Sequence, residues 1–530
     1  MKKKIYQWHR TISLIIAIPV ILWAASGFMH PIMTNIRPKV ATQWLVPQPI
    51  DSAKIKVSLQ AALQLNKIDS FTNFRLVHID NNWFYQVQRG KGKEPVYLAT
   101  LTGKLLTGGD WLYAQYLAKQ FLEGQTKDSG INATMHAEPT VTLSSFHDCC
   151  DAATDAVLNP VKGSKVKDAS ALNEYNTEYK SINRLLPVYK VAFDRPDGIR
   201  IYVETAQDRF AFAMDNKRKV FDRLFVLIHT WGWLEFLGKG KLVVEFILVF
   251  LAFLTTVMGI YIFFTSKSKK VPGNPIIKSR RNHRYTSIII SLFTLMFTFS
   301  GAYHALDKFK EDTRDQFYTE HAFYTASTDF NFPQIQSIAK TPVLNISLVN
   351  INGKNYWRVI KKQGPANFRK DLMKDAMAPM PATVYISTSS NSVLPDGELV
   401  YAKFLASQFS SRQPGEIVSA EPVTKFTSDY NFTDKRLPVW KISYNTDHHE
   451  RLFVETSTGK LSKRVNDIGL LEDYSFAFLH KHEFMGWAGK SWKDFSTMFW
   501  AMAQIAMVAI GLIFYFKLRK AKANRNDTIN

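Results

Sequence analysis

Cysteine is almost missing from this 530-residue chain: there are two, Cys149 and Cys150, and they are adjacent. A set of separated cysteine ligands for a metal is thereby excluded. The chain also lacks the compact His-x-x-x-His pair typical of zinc sites. No glycine-rich strand-to-helix turn is present, so a built-in flavin or nicotinamide domain is excluded. Neither a catalytic triad, a phosphate loop nor a paired-carboxylate signature can be found. Acidic residues are scarce, 45 against 67 Lys and Arg, for a net charge of +22. That excess first suggests nucleic acid or an anionic membrane surface. Its distribution decides: basic residues crowd at Lys2, Lys3, Lys4 and Arg10, between Lys267 and Arg284, and at Lys517, Arg519, Lys520, Lys522 and Arg525. Each cluster flanks an apolar run, the positive-inside pattern, and no nucleic acid is needed to explain it.

What is present is apolar material, 46% of residues, with 13% aromatics. Four runs are long enough to cross a hydrocarbon core, which takes about 20 residues: 11–31, 242–265, 285–306 and 495–516. The expected organisation places 1–10, 266–284 and 517–530 inside, on the cytoplasmic face, and 32–241 and 307–494 outside. A basic start and the small residues Ala24, Ala25, Ser26 and Gly27 also resemble a signal peptide. An internal copy of the same pattern argues for a helix instead.

That copy is part of a chain-long repeat. His9, Arg10, Ser26, Gly27 and His30 recur with the same spacing as His283, Arg284, Ser300, Gly301 and His304. Leu227, Ile228 and His229, with Gly238 and Lys239 downstream, recur as Phe478, Leu479 and His480 with Gly489 and Lys490. The segments outside the membrane repeat too. Val96, Tyr97, Leu98 matches Val384, Tyr385, Ile386; Leu186 to Lys190 matches Leu437 to Lys441; Arg200 to Thr205 matches Arg451 to Thr456. These phrases alternate like half-buried strands, with turns at Gly103 and Gly459. Tyr113 to Phe121 and Tyr401 to Phe409 have helical spacing. The expected fold class is a membrane protein of four transmembrane α-helices in two duplicated halves, with two α+β extracytoplasmic domains.

The strand phrases and the His-Arg helices resemble the PepSY-associated transmembrane family over nearly the whole chain. The resemblance implies PepSY-like periplasmic domains on a bacterial inner-membrane protein, and similarity to haem-containing members that reduce ferric siderophores for iron uptake.

The histidines fit that expectation. His9 and His30 are 21 residues apart, about 31 Å of helix and near a whole number of turns, so they share a face and lie near opposite interfaces. His283 and His304 repeat this. Haem b needs two axial ligands from facing helices. His9 with His283 would hold an inner haem; an outer haem would take His30 with His304, or His229 with His480, and a crossed arrangement would hold two. Ser26, Gly27, Ser300 and Gly301 offer room for a macrocycle or for close helix packing. His482 has Trp231 at its matched position, so it is read as a local contact or reserve ligand. Two haems b are expected, with a cytoplasmic reductase or quinol as donor and a ferric siderophore as acceptor; Lys361, Lys362, Lys370 and Lys374 could attract an anionic chelate.

Cys149 and Cys150 could form a vicinal disulfide, as a redox pair or as a loop stiffener, with His136 and His147 nearby. His448 and His449 belong to a solvated hairpin tip. Glu204 and Glu455 are read as structural, paired with Arg200 and Arg451. Two rival functions remain: a PepSY-type binding or regulatory module with no redox activity, and a metal or proton transporter.

Overall fold

A computed structural model describes residues 2–125, 165–267, 271–309, 318–362 and 380–527. Cys149, Cys150, His136, His147, Lys370 and Lys374 lie outside the described residues.

Four long helices, Lys2–Asn35, Gly240–Thr265, Pro275–Asp307 and Lys490–Asp527, each contain a stretch apolar enough to span a membrane. They run past the apolar runs read from sequence. Hydropathy marks only the part that lipid selects, whereas Lys and Arg flanks are good helix formers and carry the hydrogen-bond ladder onward. Asn274 starts the third helix by accepting from the backbone N–H of Ile276 and Ile277, with Pro275 in the first turn. The first helix packs on the second and fourth, and so does the third. Because the helices cross in alternating directions, both large folded segments emerge at one end of the bundle. Lys2, residues 266–267 and 271–274, and the last helix's end lie at the other. There Arg284 donates to Phe263 O (2.6 Å) and Lys2 to Thr265 O (3.5 Å), putting positive charge at the second helix's C-terminus.

The folded segments follow one order of elements twice. A short helix (Leu59–Leu65; Phe332–Ala339) precedes a four-stranded antiparallel meander (73–106; 343–394). A longer helix (Gly109–Glu123; Gly397–Ser410) then leads to a second meander (166–214; 417–465). The longer helix is sandwiched between its two sheets: Tyr113, Leu117 and Phe121 pack with Tyr97, Val191 and Ile201, and Tyr401, Leu405 and Phe409 pack with Tyr385, Ile442 and Leu452. The α+β expectation and both helical runs are therefore found.

The two segments share a core. Phe74, Tyr85 and Leu98 from one meet Phe330, Trp357 and Ile386 from the other. Asn73 Oδ1 accepts from Leu348 N–H (3.2 Å) and Asn345 Oδ1 from Leu76 N–H (3.1 Å), a reciprocal clasp between edge strands. Glu204 and Glu455 belong to a buried four-charge cluster. Arg209 lies 3.1 Å from Glu204 and also pairs with Glu455; Arg436 lies 3.0 Å from Glu455 and 3.5 Å from Glu204. This corrects the expected partners. Residues four apart on a strand are separated by about 13 Å, so Arg200 reaches Glu178 and Arg451 reaches Asp467 instead.

Each second meander leads back to the membrane through a connector. Asn216–Ile228, capped by Asp215, is followed by the turn Gly232–Leu237. Asp467–Ser475, capped by Asn466, runs into the wider turn Phe476–His480 and then Glu483–Ala488.

Candidate functional site: two layers of histidine

At the end of the bundle that carries the short loop, His9 Nδ1 lies 3.1 Å from Thr255 O. A carbonyl only accepts, so Nδ1 must carry the proton and Nε2 keeps its lone pair. The ring lies against Gly259, where an added Cβ would come 3.3 Å from His9 Cε1. His283 repeats the arrangement against Gly511, with Cε1 3.1 Å from such a Cβ, and its Nδ1 is 3.3 Å from Ser287 Oγ. His9 and His283 are within electrostatic range of one another.

At the other end six rings form a line. Phe225 stacks on His229 (4.5 Å) and touches His30 (5.4 Å). Phe476 stacks on His480 (4.7 Å) and His304 (4.4 Å). His229 and His480 meet edge to face at 6.3 Å in the middle. The helical spacing of Phe225 and His229, and of Phe476 and His480, sets each stack, since residues four apart lie over one another.

Ser26 and Ser300 do more than leave room. Each hydroxyl has its hydrogen directed to a carbonyl one turn back, Leu22 or Trp23 O (2.9 and 2.8 Å) and Met296 or Phe297 O (2.7 and 3.2 Å). The oxygen is then the acceptor for His229 Nδ1 at 2.8 Å and His480 Nδ1 at 3.2 Å. That order of donation corresponds to the tautomer that frees Nε2 in both imidazoles. At Gly27 and Gly301 an added Cβ would make only ordinary contact, with Ala501 at 3.9 Å and Val249 at 3.7 Å, so close helix packing does not require glycine there.

His304 has a different orienting partner, Glu472 Oε1 at 2.7 Å. Phe221 is the matched residue in the first half, and among the described residues no hydrogen bond to the His30 ring is found. His482 is fully buried; its Nδ1 is 3.1 Å from Ser496 Oγ, and its Nε2 has no partner among the described residues. At the matched position Trp231 is buried with Nε1 likewise unpartnered. Both residues have left-handed backbone, φ 43° and 53°. At the hairpin tip, exposed His449 pairs with Asp467 at 2.6 Å.

Gly259, Gly511, Thr255 and Glu472 were not anticipated from sequence. The two glycines had a weak signal, since each falls in the last third of a second apolar helix in its half. Glu472 had none, because its match is phenylalanine. Among the described residues, no group of three or more His, Cys, Asp or Glu is gathered as a bare-metal site.

Comparison with curated proteins yields no match. The family model described as the PepSY-associated TM region matches residues 6–410, more than three-quarters of the chain and including three of its long helices and both inner histidines. The chain belongs to the PepSY-associated TM family.

Proposed function

We propose that this protein carries electrons across a bacterial inner membrane through haem b and reduces a ferric chelate, such as a siderophore complex, on the side of the folded domains. In this reading the chain is a duplication, its termini and 266–274 loop are cytoplasmic, and its two folded segments are periplasmic. His9 with His283 would hold an inner haem and His229 with His480 an outer one.

The observation that carries the proposal is the preparation of the rings. His9 commits Nδ1–H to a carbonyl, and His229 and His480 place Nδ1 on serine hydroxyls within reach of carbonyls one turn back, so that in all three Nε2 is the nitrogen left for an axial ligand. Gly259 and Gly511 let the inner rings lie directly on helix backbone, where an added Cβ would crowd each Cε1. Trp231 Nε1 and His482 Nε2 add two buried polar atoms without protein partners, a cost of about 1–3 kcal/mol each unless a non-protein group meets them. The donor set therefore fits haem.

When bound, haem iron supplies one-electron chemistry between its ferric and ferrous states. The protein orients the imidazoles, keeps water from the inner rings and spaces the two layers across the bilayer. Phe297, 5.5 Å from the His480 ring, helps to enclose the outer layer. A separate cytoplasmic reductase or quinol is the donor, and the basic cytoplasmic face suits an acidic partner.

The test is the haem content and the reduced-minus-oxidised spectrum of the full-length protein, wild type and with His9→Ala, His283→Ala, His229→Ala or His480→Ala. Wild type is expected to show sharp bis-histidine α-bands, and each variant to lose about half the haem. A haem-free wild type, or undiminished haem in all four variants, overturns the reading and returns the chain to a binding module or transporter.

A further inference from the structure

The connectors that carry His229 and His480 are built unlike helices that face water. Helix Asn216–Ile228 has no buried residue. Its Val220, Leu224 and Leu227 form one stripe at helical spacing, exposed by 57%, 42% and 49%. In the second connector Ile468, Leu471, Tyr474 and Phe478 form the corresponding stripe, exposed by 39–61%. Two such stripes at matched places are not scattered surface apolars.

What covers them follows from their neighbours. Each stripe continues, through a short turn, into a long apolar helix with exposed apolar residues of its own: Val243, Ile247 and Phe250 after the first connector, Phe495, Phe499 and Met502 after the second. The turns present Trp233, Phe236 and Trp487, exposed by 55%, 80% and 79%. Aromatic residues at the end of a spanning helix are the mark of the headgroup level. A helix with one apolar stripe and charged flanks beside that level lies in the plane of the interface.

The connectors differ in charge. The first has Lys217 and Arg223 exposed. In the second, Asp467, Glu472 and Asp473 are turned to the protein, paired with His449 and Arg451, with His304 and with Lys463. A basic exposed flank beside a lipid-facing stripe suits a phosphate headgroup of net negative charge.

We propose that both connectors are seated in the leaflet on the side of the folded domains, apolar stripes in the acyl boundary, and that the first recruits anionic phospholipid through Lys217 and Arg223. The outer histidines then sit at headgroup depth, and any acceptor must be met at the membrane surface. None of this depends on haem.

The experiment uses full-length protein in nanodiscs of phosphatidylcholine with one-quarter phosphatidylglycerol, in a Cys149→Ser, Cys150→Ser background. Nitroxides are placed through Leu224→Cys and Leu471→Cys, with Ile247→Cys as lipid reference and Leu105→Cys as water reference. Collision rates with oxygen and with a water-soluble nickel chelate are measured. Both connector labels are expected to resemble Ile247, rich in oxygen and several-fold protected from nickel. Nickel access like that at Leu105 overturns the seating. Low access to both reagents also overturns it, because a protein partner rather than lipid would then cover the stripe. In a separate arm, Lys217→Gln with Arg223→Gln should reduce the phosphatidylglycerol share of co-purifying lipid about twofold. An unchanged share overturns the headgroup assignment even where the labels remain lipid-facing.

Discussion

The inner and outer histidine layers differ in how closely the two halves match. In the inner layer one imidazole lies against one glycine in each half, His9 on Gly259 and His283 on Gly511, although Nδ1 meets Thr255 O in the first and Ser287 Oγ in the second. In the outer layer the Ser26–His229 and Ser300–His480 contacts match, as do the Phe225 and Phe476 rings against their histidines. Around them Glu472 faces His304 where Phe221 occupies the first half, and His482 replaces Trp231. Matched parts are those any occupant between the halves would require of both. Unmatched parts lie on the periphery, where one side can differ without disturbing the shared centre.

The strongest way to break the match is to fill the glycine positions. Gly259→Leu or Gly511→Leu would drive a side chain into the adjacent imidazole, since even a Cβ stands 3.1–3.3 Å from Cε1. Each variant should lose the inner haem wholly and keep the outer one, read as haem per protein and as loss of one α-band. Unequal effects of the two changes would show that the inner layer is less symmetric than its geometry.

Next comes the four-charge cluster. Glu455 is fully buried and pairs with both Arg209 and Arg436; these charges hold its carboxyl well below the usual range although burial opposes it. Glu455→Gln would strand two buried guanidiniums with only Glu204 between them, a loss of about 3 kcal/mol. Glu204→Gln should cost about half as much, because Arg436 is 3.5 Å away there and keeps Glu455. Thermal melts of the purified protein would check the ratio, and equal losses would mean the halves share the cluster evenly.

A smaller effect separates the outer flanks. His304→Ala leaves the buried Glu472 carboxylate without its 2.7 Å donor, a cost of about 2 kcal/mol, whereas His30→Ala loses only ring contact with Phe225 and should cost under about 1 kcal/mol. Outer haem should survive both changes. Its loss from both would move the ligand role from His229 and His480 to His30 and His304.

Much of this architecture was legible in the chain. Apolar runs located the four helices, alternation located the strands, and repeated spacing located the six histidines, because each signal is local. What was not legible depends on contacts between distant segments. Arg209 and Arg436 meet Glu204 and Glu455 only because two sheets from different halves abut, and sequence neighbours misled the pairing towards Arg200 and Arg451. Ser26 and Ser300 were visible by spacing, but small size suggested room when the hydroxyl mattered. Glu472 had no repeat to announce it.

The smallest expected effect compares one acid in each half. Glu178 is matched by Asp429 and Lys190 by Lys441. Burial opposes the charge on Glu178, but hydrogen bonds from Arg200 (2.6 Å) and Tyr202 (2.6 Å) win and bring its pKa down to about 2. Asp429 is also lowered against burial, through Lys441 at 2.7 Å and Thr427. A lowered carboxylate stabilises the fold above its unfolded value and loses that contribution as pH falls through the folded one. For Glu178 the window runs from about 4.5 down to about 2; for Asp429 it begins lower, near 3.8. For Glu178 the contribution is about 1 kcal/mol after allowing for solvent around a half-buried group. Glu178→Gln should therefore flatten the acid limb of stability against pH beginning near 4.5, while Asp429→Asn acts only below about 4. Melting curves between pH 3 and pH 6 would show it, and identical limbs for both variants would remove this difference between the halves.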